Sequence, residues 1–144
     1  MSITRIARHA ARQMLQIPGF LVKVPAGFPS PAEDYMDNAL DLNEHLIKHP
    51  AATFYCRVSG DSMLNAGIFD GDLLIVDRSV EPVHGSVVLA AINGEITCKT
   101  LDVHARQLRS ANNQYPPIPI HDGADFSVEG VVIYSIRDHH YRAG

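Results

Sequence analysis

Two side chains in this sequence have the types and settings for nucleophilic catalysis. Ser62 lies in Val58-Ser59-Gly60-Asp61-Ser62-Met63-Leu64, and Lys99 in Gly94-Glu95-Ile96-Thr97-Cys98-Lys99-Thr100-Leu101. A serine hydroxyl attacks a carbonyl carbon well only after a base takes its proton. A lysine is such a base only when neutral, so its pKa must fall from about 10.4 towards neutrality. Burial against apolar neighbours pushes it that way, because desolvation disfavours the ammonium form. A Ser–Lys pair is a known variant of the nucleophile–base arrangement.

These residues need elements that bring them together. A run of β-formers, 53–59, leads into Gly60, so Ser62 falls in the turn that follows. Gly60 permits a backbone conformation that other residues resist. Asn93-Gly94 between two apolar runs predicts a two-residue hairpin turn. That turn sets 92 opposite 95, 90 opposite 97 and 88 opposite 99, which puts Lys99 on a strand face with Thr97, Val88 and Ala90. Taken singly, each residue has a plainer reading. Lys99 could be an edge lysine that discourages strand pairing, and Ser62 a helix cap or a solvated turn serine. The pair carries more weight than either residue alone.

The remaining pattern is mostly β. Candidate strands are 53–59, 73–77, 86–92, 95–101, 105–109 and 129–137, short and broken by turn residues, as in an antiparallel barrel or sandwich. Residues 3–15 are expected to form a short helix, stopped by Pro18-Gly19. Residues 21–32 read as an extended arm, with Pro25, Pro29 and Pro31 each pushing the preceding residue away from helix. Part of 33–48 reads as helix, with Asp41 as N-cap, Glu44 three residues on, and an end before Pro50.

The chain has 144 residues, 46% apolar and 19% charged, which suits one globular domain with a core. No apolar run approaches the length of a membrane span, so no membrane association is expected. Cys56 and Cys98 lack metal-ligand spacing and read as free thiols in a reducing, cytoplasmic setting. The net charge of −4 is uneven: residues 1–26 carry Arg5, Arg8, Arg12 and Lys23 and no acid, while the rest carries 8 basic and 16 acidic side chains, a net −8. A basic arm beside an acidic body can lie on that body or on nucleic acid. The body itself lacks a basic cluster for DNA. An Arg-rich start without acids also has the composition of an organelle transit peptide.

The Ser62 and Lys99 segments, together with Gly67-Ile68-Phe69-Asp70-Gly71-Asp72-Leu73-Leu74-Ile75-Val76-Asp77, resemble the catalytic segments of the LexA/UmuD family of self-cleaving peptidases. Ala26-Gly27-Phe28-Pro29-Ser30-Pro31-Ala32-Glu33-Asp34-Tyr35 is similar to the cleavage-site region of the UmuD branch. The likeness runs from about residue 20 to residue 137. It implies a mainly β peptidase domain of antiparallel strands, distorted and barrel-like, with an extended N-terminal arm. It divides the chain into an arm, 1–26, removed by self-cleavage, and a peptidase domain, 27–144, whose residues 27–45 form an extended or helical lead-in. The matched roles are Ser62 as nucleophile, Lys99 as general base and Ala26–Gly27 as the bond cut. The resemblance also implies a homodimer, stimulation by a RecA filament on single-stranded DNA, and a UmuC-like Y-family polymerase as partner in an SOS-type translesion role. No cofactor and no metal are expected.

Rival readings fit less well. A LexA-like repressor needs a DNA-binding module before the cut, and 26 residues do not build a helix-turn-helix. A membrane signal peptidase shares the Ser–Lys pair but needs an anchor. A Ser-His-Asp hydrolase elbow is missing its second glycine, because Leu64 stands there. His45 and His49, four apart, would share a helix face, yet no His-Glu-x-x-His pattern accompanies them. An inactive module that only binds a polymerase is the remaining alternative.

Overall fold

The computed structural model describes residues 2–8, 16–17 and 40–140. Two compact units are distinguished, Met1–His9 with His49–Gly144, and Ala10–Lys48. The expected arm at 21–32, with Ala26 and Gly27, lies outside the described residues.

In the smaller unit, β2 (Gln16–Ile17) pairs antiparallel with β3 (Leu40–Asp41). Helix α1 (Leu42–Leu46) follows at once. The Asp41 carboxylate accepts a hydrogen bond from Asn43 N at 3.0 Å, the capping role expected of it. The helix ends at Leu46, so His49 is not on it and the expected His45–His49 helix face does not form.

The larger unit is a strongly curved antiparallel sheet. Its strands are β1 (Ser2–Arg8), β4 (Thr53–Ser59), β5 (Leu73–Asp77), β6 (Val87–Ile92), β7 (Glu95–Asp102), β8 (Gln107–Arg109), β9 (Ile118–Pro119) and β10 (Phe126–Ile136). They run in the order β1-β4-β5-β10-β6-β7-β8-β9, and a further pairing of β1 with β7 closes six of them into a ring. The mainly β, barrel-like class therefore holds. Strand β10 serves two neighbours: its first half pairs with β6 and its second with β5. Register shifts at Val128/Gly130 and Val132/Tyr134 bend it from one to the other.

The helix expected over 3–15 is corrected at its start. Residues 2–8 are β1, paired with β4 from Ser2 opposite Ser59 to Arg8 opposite Phe54. A short isolated helix is marginal, whereas the free edge of β4 offers a ladder that suits β-branched Ile3 and Ile6. Residues 9–15 lie outside the described residues. Strands 53–59 and 73–77 stand as expected, and the other four stand with ends moved by one to three residues. β8 begins at Gln107 because Asp102–Arg106 forms a turn, in which Asp102 Oδ1 accepts from Ala105 N at 3.0 Å and Arg106 has φ 50°.

Two apolar clusters fill the unit. One joins Phe54, Cys56, Val58, Met63, Leu74, Val76, Leu89 and Cys98; the other joins Val88, Ala90, Ile92, Leu108 and Val131. The alternation of β6 places Leu89 in the first and Val88, Ala90 and Ile92 in the second, so this strand is buried on both faces. Asp77, also buried, accepts from Ser79 N and Oγ and lies 2.6 Å from His49 Nδ1. Burial works to raise that carboxyl. The bonds to Ser79 and His49 outweigh it and hold the group below the usual carboxylate range.

Candidate active site

The site begins with the hairpin. Asn93 has φ 50° and Gly94 φ 84°, the paired left-handed residues of a tight two-residue turn. The register is the one expected: Ile92 faces Glu95, Ala90 faces Thr97 and Val88 faces Lys99. Val88 and Ala90 are wholly buried, so Lys99 rises beside an apolar wall and is itself only 4% exposed.

The serine turn is held from several sides. Strand β4 delivers the chain to Gly60, whose φ of 97° turns it away from the sheet. Gly60 N donates to Asp70 Oδ1 at 2.8 Å. Asp61 O accepts from Asn112 Nδ2 at 2.9 Å, and the Asp61 carboxylate accepts a very short bond from the Tyr115 hydroxyl. That bond and the adjacent negative charge raise the Tyr115 pKa. Met63, with no exposed surface, anchors the turn in the first apolar cluster.

Between these two supports, Ser62 and Lys99 meet. Lys99 Nζ donates to Ser62 Oγ at 2.8 Å and to Cys98 O at 3.3 Å. Ser62 is 1% exposed. A hydroxyl and an amine held at hydrogen-bond distance and shielded from water have the geometry for proton transfer. A groove of about 340 Å³ opens beside them, with Thr97, Lys99, Ser110, Tyr115 and Ile118 among its walls. Ser110 Oγ is buried and has no hydrogen-bond partner among the described residues.

The structure thus brings two of the four expected site residues together and does not describe the other two, Ala26 and Gly27. It adds Asp70, Asn112 and Tyr115, which hold the serine turn. Asp70 belongs to the Gly67–Asp77 stretch that carries the family resemblance in the sequence. Tyr115 is 54 residues from Asp61, and no local pattern connects them.

A second groove, about 510 Å³, is lined by Arg57, Asp70, Asp72, Arg137 and their neighbours. Its charges serve the fold. Arg137 Nε donates to Asp72 Oδ1 at 3.1 Å, its Nη2 donates to Gly67 O at 3.1 Å, and its guanidinium stacks 3.5 Å from the Phe69 ring centre. Cys56 and Cys98 are free, buried thiols. Burial, with the other sulfur nearby, pushes Cys56 up to about 12, and burial pushes Cys98 up to about 11. No described helix is long and apolar enough to cross a membrane.

Comparison with known proteins places this chain among peptidases. Residues 18–133 match the family model described as Peptidase S24-like. The chain is 40% identical over 141 residues to protein MucA of Salmonella typhimurium, covering 96% of this chain and 97% of that one. It is 42% identical over 125 residues to protein ImpA of Escherichia coli, covering 85% and 81%. A LexA repressor from Shewanella denitrificans is 33% identical over 137 residues, which cover 93% of this chain and 66% of the repressor.

Proposed function

From the premise that this chain belongs to the Peptidase S24-like family, as a UmuD-like member, we propose that it cuts its own Ala26–Gly27 bond with Ser62 as nucleophile and Lys99 as general base. One observation carries the reading: the hydrogen bond of 2.8 Å between Lys99 Nζ and Ser62 Oγ, two side chains that are almost wholly buried.

The chemistry runs in two halves. Neutral Lys99 takes the Ser62 proton as Oγ attacks the Ala26 carbonyl carbon. The developing oxyanion sits against backbone N–H groups of the serine turn, a kind of support whose loss typically costs about 10²–10³ in rate. The carbon–nitrogen bond then breaks, and the Lys99 ammonium returns the proton to the leaving Gly27 amine. Water hydrolyses the Ala26 ester by the reverse proton path and frees Ser62. Because the substrate is tethered, proximity replaces a high-affinity binding site. A small residue and a glycine at the cut let the arm bend into a narrow groove.

In this reading a RecA filament on single-stranded DNA shifts the chain towards the cutting-competent arrangement. The processed chain works as a homodimer and as accessory subunit of a UmuC-like Y-family polymerase in error-prone translesion synthesis. A repressor-fragment reading draws less support, since the chain is 40% identical to MucA and 33% identical to the LexA repressor.

The test is incubation of the purified chain with RecA, nucleotide and single-stranded DNA, followed by intact-mass measurement. The expected products are residues 1–26 and 27–144. Ser62→Ala abolishes them, and Gly27→Glu blocks the cut by clash and charge. Processing of the Ser62→Ala chain at the parent rate would overturn the assignment.

A further inference from the structure

Strand β1 lies on the amino side of Ala26–Gly27, so on the proposed reading, on which this inference rests, it belongs to the piece that is cut off. Yet it is built into the barrel. Six of its residues pair with β4, and Ser2 also pairs with Thr97 of β7, closing the ring. Ile3 packs on the apolar cluster that contains Phe54, Val58 and Met63. Hydrolysis of a peptide bond 18 residues beyond Arg8 breaks none of these contacts. It removes only the tether and the effective concentration that the tether supplied.

Two further features act to keep the strand in place. Residues 1–26 carry four basic side chains and no acid, against a net −8 on residues 27–144, so the separated pieces attract each other. Departure would also leave the β1-facing backbone edge of β4, from Phe54 to Ser59, without partners, an arrangement that invites addition of another strand.

We infer that the edge of β4, together with β7 at Thr97, is a strand-docking surface whose occupant after self-cleavage is the product peptide itself. The processed molecule is a two-chain complex in which residues 2–8 remain as a non-covalent barrel strand. The placement has a consequence for the site. Ser2 pairs with Ser59, which leads into the serine turn, and with Thr97, two residues before Lys99. A retained β1 therefore keeps the two catalytic segments clamped together after the cut.

The test does not depend on self-cleavage. In the full chain carrying Ser62→Ala, the recognition sequence of a site-specific protease is placed at the 26–27 junction, and added protease makes the cut. Native mass spectrometry and gel filtration at micromolar concentration are expected to give one species, with the mass of the whole chain plus one water. Denaturing mass spectrometry is expected to give two pieces. Ile3→Asp, which sets a carboxylate against the apolar cluster, releases the peptide at least tenfold faster. Hydrogen exchange on the uncut chains, parent and Ile3→Asp, checks that the body stays folded and that the β4 amides are protected by β1. Immediate separation of the parent pieces, with the β4 amides that face β1 exchanging freely, would overturn the inference and leave the self-cleavage reading as it was. Absence of cutting by the parent chain in the RecA experiment, with retention of the peptide here, would do the reverse.

Discussion

Replacing Lys99 by methionine separates chemistry from folding. Methionine has nearly the same length and no branch, so it fills the space of the lysine stem. The change removes two hydrogen bonds, to Ser62 Oγ at 2.8 Å and to Cys98 O at 3.3 Å. At about 0.5–1.5 kcal/mol net for each, the loss is about 1–3 kcal/mol. The change also removes an amine from a site only 4% exposed, where burying an incompletely satisfied polar group costs about 1–3 kcal/mol on mutational scales. The two effects nearly cancel, and Lys99→Met is expected to unfold within about 1 kcal/mol of the parent. Its cutting rate falls by about 10²–10⁴, the usual contribution of a general base. The assay pairs a urea titration with intact-mass measurement of the 27–144 product over time. Cutting within tenfold of the parent rate, in a variant with unchanged urea midpoint, would refute the role of the amine.

Further outcomes follow from particular contacts. Gly130→Ala puts a Cβ 2.6 Å from Val76 Cγ1 and 3.3 Å from Asp77 O, so the variant is expected to lose about 1–3 kcal/mol in denaturant titration; an unchanged midpoint would mean that β10 and β5 are not this close. Ser110→Ala removes a buried hydroxyl without a partner among the described residues and is expected to gain about 1 kcal/mol, read as a melting temperature a few degrees higher. Asp77 is held below the usual carboxylate range, so the folded chain binds its proton less readily than the unfolded chain does. Its stabilisation is complete above about pH 4 and is lost as pH falls through the lower folded value, so Asp77→Asn flattens the acid limb of the stability curve. Cys56 and Cys98, raised to about 12 and about 11, are expected to react with a thiol reagent only after denaturant is added.

Legibility from sequence followed the range of the interactions. Asn93-Gly94 encodes its own turn, and the turn fixes Val88 opposite Lys99, so the buried face of the lysine could be read from the stretch 88–99 alone. Asp41 likewise encoded its cap. Strand β1 could not be read this way. Its partner begins 45 residues beyond its end, and nothing within Ser2–Arg8 records that an edge is waiting there. Local propensity then favoured a helix that the sheet overrides. The clamp on the serine turn was hidden for the same reason, because Asn112 and Tyr115 reach Asp61 from a distant loop. Ile118–Pro119 escaped notice because two residues, one of them proline, carry no strand pattern.

The state of the site in the uncut chain constrains how a stimulus can act on it. On the proposed reading, two routes to slow, inducible cutting are open in principle: the nucleophile and base could be apart until activation, or they could be assembled and waiting for the bond. Ser62 and Lys99 are already hydrogen-bonded, and both are withdrawn from water. Tyr115, Asn112 and Asp70 fix the turn that carries Ser62, and the hairpin register fixes Lys99. An activator that drew these two residues together would therefore supply free energy already present in the fold. A ligand shifts an equilibrium only by its difference in affinity for the two states. On the proposed reading, that difference must lie in where the segment bearing Ala26 and Gly27 resides, so the barrier a RecA filament lowers is delivery of the substrate and not assembly of the catalyst.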